Sequence, residues 1–301
     1  MTDQGAPNCR ICQADAAHQF VRASHVFGGR PEHDFWQCEH CDAIYLYPVS
    51  SVEEEKKFYL QEFEGFMSTR VGDHRDWSNA EKHKQTNQDQ VRRRMPFLEK
   101  YLLSGVDLLE IGCSSGFMLD AFHEKGVNCE GVEPSGEFGE FLQRGGYRIY
   151  DDLSQIVDQK YDVIAHFFVF EHIRDPFEFL QKTYGLLKDG GVMVAEIPCA
   201  NDPLTAIYDI DAFEKFYWSV AHHYYYTPKS LSFVLDKLGY RYELVGEQRY
   251  DISNHMTWML DGKPGGQGRF TELFGEQLVE SYRQRMIDQW QCDTVFLYVW
   301  K

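Results

Sequence analysis

Positive charge is what this 301-residue chain lacks: Lys and Arg number 30 against 47 Asp and Glu, a net charge of -17. Nucleic-acid binding depends on neutralising phosphates with basic groups, so RNA and DNA are not expected as partners. The one dense basic run, Arg92-Arg93-Arg94, falls in a helical pattern and reads as a solvated face. Long apolar runs are missing as well. No stretch approaches the roughly 18 apolar residues of a membrane span, and the first residues carry no apolar core of a secretory signal. Membrane insertion is therefore not expected, and a cytoplasmic location is. Tandem repeats and low-complexity tracts are absent, while 43% of residues are hydrophobic and 15% aromatic, which excludes disorder as a description of the whole. At about 150 residues per domain, the length suits one large α/β domain and a smaller module.

Eight cysteines in a reducing compartment are poor disulfide candidates, so spacing decides which work together. Cys9-Arg10-Ile11-Cys12 and Cys38-Glu39-His40-Cys41 are two C-x-x-C knuckles separated by 25 residues. Each can place two thiolates on one tetrahedral zinc, and a closed four-thiolate site is normally structural. Residues 1–50, punctuated by Gly28-Gly29, Pro31 and Pro48, read as loop-like, too poor in apolar runs to fold without such a staple. His33 and His40 could substitute as ligands but read as solvent-facing, and Cys113, Cys129, Cys199 and Cys292 as core or loop residues. Residues 51–103 turn polar and helical, with Val91, Met95, Leu98 and Leu102 on one face and a kink or restart expected at Pro96; this is a helical connector or lid.

From 104 to 301 short apolar runs alternate with amphipathic stretches, the rhythm of a parallel sheet covered by helices. Strands are predicted over 106–111, 127–132, 147–150, 161–168 and 192–197, with helices over 117–125, 136–144 and 176–187 between them. A helix over 228–238, a strand over 240–250, a helix over 271–290 and a terminal strand over 294–300 complete the pattern.

The stretch from Asp107 through Glu110, Ile111, Gly112, Cys113, Ser114, Ser115 and Gly116 to Phe117 is an apolar strand, a small-residue loop and a helix start. Small residues let a ligand approach the backbone, and the helix N-terminus offers free N–H groups. Seventeen positions after Gly116, Glu133 closes the second strand before Pro134, where a carboxylate can accept both ribose hydroxyls of a nucleoside. Ser114 and Phe117 stand where G-x-G-x-x-G needs glycine, which disfavours a nicotinamide enzyme. Gly112 to Gly116 also fits the G-x-S-x-G elbow of α/β-hydrolases, but no earlier strands of the same sheet precede it.

These residues resemble the seven-strand, class I (Rossmann-like) S-adenosylmethionine-dependent methyltransferases, whose first motif is acid-x-G-x-x-x-G, filled here by Glu110, Gly112 and Gly116. Phe170-Glu171-His172-Ile173-Arg174-Asp175-Pro176 resembles the E-H-x-x-D-P stretch of the same family. The resemblance implies a seven-stranded sheet with one antiparallel edge strand. It implies that the loop around Cys113 and Ser114 cradles the methionine part of S-adenosylmethionine, that Glu133 holds the ribose, and that Asp151 or Asp152 with Leu153 reaches the adenine. Phe117, Pro134 and Phe167 line the same cofactor site on this reading.

Methyl transfer to a hydroxyl or carbon acid needs a base near the fourth strand, and His172 with Glu171 is the best-placed pair. His222 and His223, within the aromatic run Trp218 to Tyr226, are further candidates near an acceptor cleft. Zinc knuckles before such a domain resemble the deoxysugar C-methyltransferases, and the stretch 250–266 resembles methyltransferases of surface polysaccharides, so a sugar or nucleotide-linked sugar is the expected acceptor. Those C-methyltransferases continue with a further domain, which sets oxygen methylation beside carbon methylation. Alternatives are a ribosomal RNA guanine methyltransferase with a zinc module and a cofactor-binding interaction protein without turnover.

Overall fold

A computed structural model describes residues 5–71 and 79–301. Three short strands open the chain, β1 (Gln19–Ala23), β2 (Asp34–Cys38) and β3 (Ile44–Tyr47), paired antiparallel. They are followed by α1 (Val52–Lys57), a π-helical turn over Phe58–Glu62, α2 (Phe63–Val71), α3 (Ala80–Thr86) and α4 (Gln88–Leu98). The larger part runs β4 (Asp107–Ile111), α5 (Phe117–Glu124), β5 (Asn128–Val132), α6 (Gly136–Arg144), β6 (Arg148–Tyr150), β7 (Tyr161–Phe167), α7 (Pro176–Leu186) and β8 (Leu187–Pro198). It continues with α8 (Pro203–Ala206), α9 (Asp211–Tyr217), β9 (Tyr224–Tyr225), α10 (Pro228–Leu238), β10 (Arg241–Glu247), α11 (Ile252–Asp261), α12 (Thr271–Phe274), α13 (Glu276–Asp288) and β11 (Thr294–Trp300).

Seven of the strands form one sheet in the order β10-β11-β8-β7-β4-β5-β6, with β11 antiparallel to both neighbours and the rest parallel. The seven strands and the single antiparallel one agree with the sequence, but the antiparallel strand, β11, lies one place in from the edge, which β10 forms. Side chains alternate along each strand, so Leu108, Val163, Val192 and Phe296 point to one face, and Leu109, Ile164, Met193 and Val295 to the other. The first face is covered by Met118 and Phe122 of α5 and by Leu98 and Leu102, with Val91 and Met95 of α4 beside them. Phe179 and Leu180 of α7 and Leu231, Val234 and Leu235 of α10 cover the second. Local chemistry fixes these helices in place: Asp175 caps α7 ahead of Pro176, while Thr227 and Ser230 form a capping box on α10, which ends at Gly239 with φ +69°.

Several sequence expectations need correction. Residues 1–50 are not loop-like: their three strands gain a fourth, β9, through Ile44 opposite Tyr225 and Tyr45 opposite Tyr224. Phe35, Ile44 and Leu46 share a core with Leu204, Phe213, Trp218 and Trp258. His33 is buried and accepts from the Arg30 N–H at 3.0 Å, whereas His40 is exposed. The restart falls at Asn87, and α4 runs through Pro96, which lies close enough to its end to cost little. Residues 252–261, to which the sequence pattern assigned no element, are helical, because Asp251 caps the Asn254 N–H at 2.8 Å and Gly262 ends the helix at φ +62°. The helix predicted over 271–290 is broken at Gly275, φ +77°.

The basic run is not a solvated face either. Arg94 is 5% exposed and its Nε donates to Glu196 Oε2 at 2.7 Å; Arg93 pairs with the other oxygen of Glu196 at 2.6 Å and with Glu247 at 2.5 Å. Only Arg92 faces solvent.

Candidate active site

β4 lies between β5 and β7, the point where the strand order reverses and where open α/β sheets form a crevice beyond their carboxyl ends. The loop that leaves β4 there is tightly constrained. Gly112 and Gly116 take φ +71° and +78°, and Ser114 +49°. A Cβ on Gly116 would come within 2.3 Å of Leu142 Cδ2, and one on Gly112 within 2.6 Å of Val169 Cγ2. At the end of β5, Glu133 is 7% exposed, and each carboxylate oxygen accepts one backbone N–H, Ser114 at 2.7 Å and Ser135 at 2.8 Å. Its position relative to the loop is thereby set.

Cys113 and Phe117 are buried, and Cys113 Sγ fills the space above Gly131, where a Cβ would lie 2.5 Å away. Glu110 is buried, which pushes its carboxyl well above the usual carboxylate range, with Arg94 pulling the other way. Pro134 is exposed, Asp152 is exposed and caps the short turn after it through the Ser154 N–H at 2.7 Å, and Leu153 is half-buried. Phe167 ends β7 with the Arg94 guanidinium 4.4 Å above its ring.

Two residues of the helices before β4 escaped sequence reasoning. His83 of α3 is buried, with Nδ1 2.8 Å from Ser115 Oγ. Arg94 belongs to the same helical stripe as Val91, Met95 and Leu98, so the signal was present and was outweighed by its charge.

On the far side of β7, Glu171, His172 and His222 converge. The rings of His172 and His222 lie 4.7 Å apart, and His172 Nε2 is 3.9 Å from Glu171 Oε1. The carbonyl of Ala221 can only accept, so the 2.8 Å contact from His172 Nδ1 assigns the proton to Nδ1 and leaves a lone pair on Nε2. Tyr59, from the π-helical turn, donates to the same carbonyl at 3.0 Å and packs on His172; nothing in the sequence marked it. Burial lowers His172 to about 4, takes His222 well below the imidazole range, and raises Glu171 to about 8. His223 is not brought to this cluster: its Nε2 meets Glu55 at 3.1 Å, and Glu55 in turn pairs with Arg174.

The four knuckle cysteines do meet. Cys9 and Cys41 sulfurs are 3.6 Å apart and Cys12 and Cys38 sulfurs 3.5 Å, close to the edge of a tetrahedron with metal–sulfur bonds of about 2.3 Å. Arg10, between the first two, donates to the carbonyls of Leu46, Arg174 and His223 and stacks over Tyr224 at 4.6 Å.

Sheet order, glycine turn and opposed carboxylate define a Rossmann-like methyltransferase domain. The chain belongs to the methyltransferase-domain family, whose sequence profile matches residues 82–245, more than half of it. It is 29% identical over 100 residues to a ubiquinone biosynthesis O-methyltransferase of Bradyrhizobium sp. (strain ORS 278), and 31% identical over 101 residues to that of Nitrobacter winogradskyi. Each match takes in 31% of this chain and, respectively, 40% and 39% of the relative, so the chain spans about two fifths of the length of these curated relatives. An S-adenosylmethionine-dependent methyltransferase from Archaeoglobus fulgidus shares the fold, with a TM-score of 0.50 at 20% identity over 71% of this chain and 94% of that one. Among the described residues no helix is long and apolar enough to cross a membrane.

Proposed function

We propose that the protein transfers a methyl group from S-adenosylmethionine to a hydroxyl oxygen of a small-molecule acceptor. The observation that supports this most is the turn from Gly112 to Gly116 facing Glu133 at the reversal of strand order. Glu133 would accept the ribose hydroxyls, the turn would leave room for the methionine end, and Asp152 with Leu153 would border the adenine. The cofactor, when bound, supplies a methyl carbon made electrophilic by its sulfonium. The chain's own task is then to align an acceptor oxygen and receive its proton. Glu171 and His172 are the candidates, a buried carboxyl held near the working pH and a neutral imidazole with Nε2 free.

Cys9, Cys12, Cys38 and Cys41 would hold a structural zinc, bracing the segment that carries His222 through Arg10. The relatives' names specify oxygen as the methylated atom, which favours O- over C-methylation. A sugar or nucleotide-linked sugar acceptor rests on the resemblances of the knuckles and of the stretch 250–266, and the relatives' names point instead to ubiquinone biosynthesis. Calorimetry with S-adenosylhomocysteine tests the cofactor site: the wild type binds, and Glu133→Ala loses at least tenfold in affinity. No uptake by the wild type would sink the reading. A mass-spectrometric screen of nucleotide sugars and aromatic alcohols should then find the acceptor, with His172→Ala sparing cofactor binding and lowering turnover.

A further inference from the structure

We propose that Glu171, His172 and His222 together hold a divalent cation on the acceptor side of the site, a centre chemically unlike the four-cysteine one. One ligand atom from each lies within 4.8 Å of the other two. The residues come from separate segments: Glu171 and His172 from the turn after β7, His222 from the stretch before β9. Glu171 is 2% exposed and His222 8%, and among the described residues Glu171 Oε2 and His222 Nδ1 are buried without a hydrogen-bond partner. Native interiors rarely leave such atoms unpaired, and one cation between them would satisfy both. His172 is already oriented as metal-binding imidazoles are, its Nδ1–H fixed on a backbone carbonyl and its Nε2 turned to the cluster.

One carboxylate and two imidazoles suit a borderline cation such as manganese, iron(II) or zinc, and three protein ligands leave coordination positions open. The catalytic consequence rests on the methyl-transfer reading. An acceptor hydroxyl entering an open position becomes more acidic and releases its proton to water, so with the cation bound Glu171 and His172 act through it rather than as the proton acceptors themselves. Its oxygen lone pair then forms the new C–O bond while the C–S bond breaks, the electron pair remaining on a sulfur that becomes a neutral thioether.

The test uses the full chain with its thiolate site loaded with zinc, so that added manganese, which thiolates bind poorly, reports on this cluster alone. Electron paramagnetic resonance should show one Mn2+ bound per chain, with Glu171→Gln and His222→Ala each weakening binding tenfold or more while S-adenosylhomocysteine uptake persists. In the wild type, Mn2+ should broaden the His172 and His222 ring signals in NMR and spare His40, which keeps the test decisive even if a variant fails to fold. Normal S-adenosylhomocysteine binding with no Mn2+ uptake, or with uptake unchanged in both variants, overturns the metal centre alone; absent cofactor binding overturns the methyl-transfer reading instead.

Discussion

At the scale of single residues, the site is built from groups whose surroundings leave them little choice. Gly116 cannot carry a side chain, since φ +78° is strained for any L residue and a Cβ would lie 2.3 Å from Leu142 Cδ2. Gly116→Ala should cost about 2 kcal/mol through strain and overpacking, seen as a lower urea midpoint at unchanged slope. His166, buried in β7 with its ring edge-on to Phe179, is lowered to about 3 by burial. The unfolded chain titrates this group near 6.5, so its contribution is intact above that pH and is lost as pH falls towards 3. Between pH 6.5 and 4.5 the loss should be about 2–3 kcal/mol, at about 1.4 kcal/mol per unit, and His166→Phe should flatten that part of the profile in urea titrations at the two pH values.

At the scale of elements, α4 closes one face of the sheet and delivers two arginines to its rim. Glu196 is fully buried, with Arg93 and Arg94 as its charge partners. Removing Arg94 leaves Glu196 with Arg93 alone, so Arg94→Ala should cost about 3 kcal/mol. Pairing it with Glu196→Leu should restore much of the loss, because both charges then leave the interior; a double-mutant cycle in urea measures this. An undiminished stability of the single variant would remove the pair from the account of how α4 is held.

At the scale of the whole molecule, two sheets are tied together by β9, which pairs with β3 although it lies in the segment that carries His222. Arg10 reinforces the tie by donating to His223 and Arg174 carbonyls. Stripping the thiolate site with a chelator should release one zinc per chain and raise hydrogen exchange over residues 221–226, and methyl transfer should fall with it. Retained protection there would separate the knuckles from the acceptor side.

The seven-strand sheet was legible in the sequence because its central strands, β4, β7 and β8, carry apolar runs buried on both faces, and the covering helices α6, α7 and α10 each start at a capping side chain. The tight turn at Gly112 and Gly116 was legible because positive φ and close packing demand glycine, and the carboxylate that faces it, Glu133, because it closes the next strand at a fixed offset. The four cysteines were legible for the same reason, since two knuckles encode a tetrahedron locally. Burial of Arg94, the fourth strand supplied by Tyr224 and Tyr225, and the meeting of Tyr59, Glu171, His172 and His222 were decided only in three dimensions. Each joins segments tens to more than a hundred residues apart, and no local pattern states which distant partner will neutralise a charge, complete a sheet edge or orient a ring.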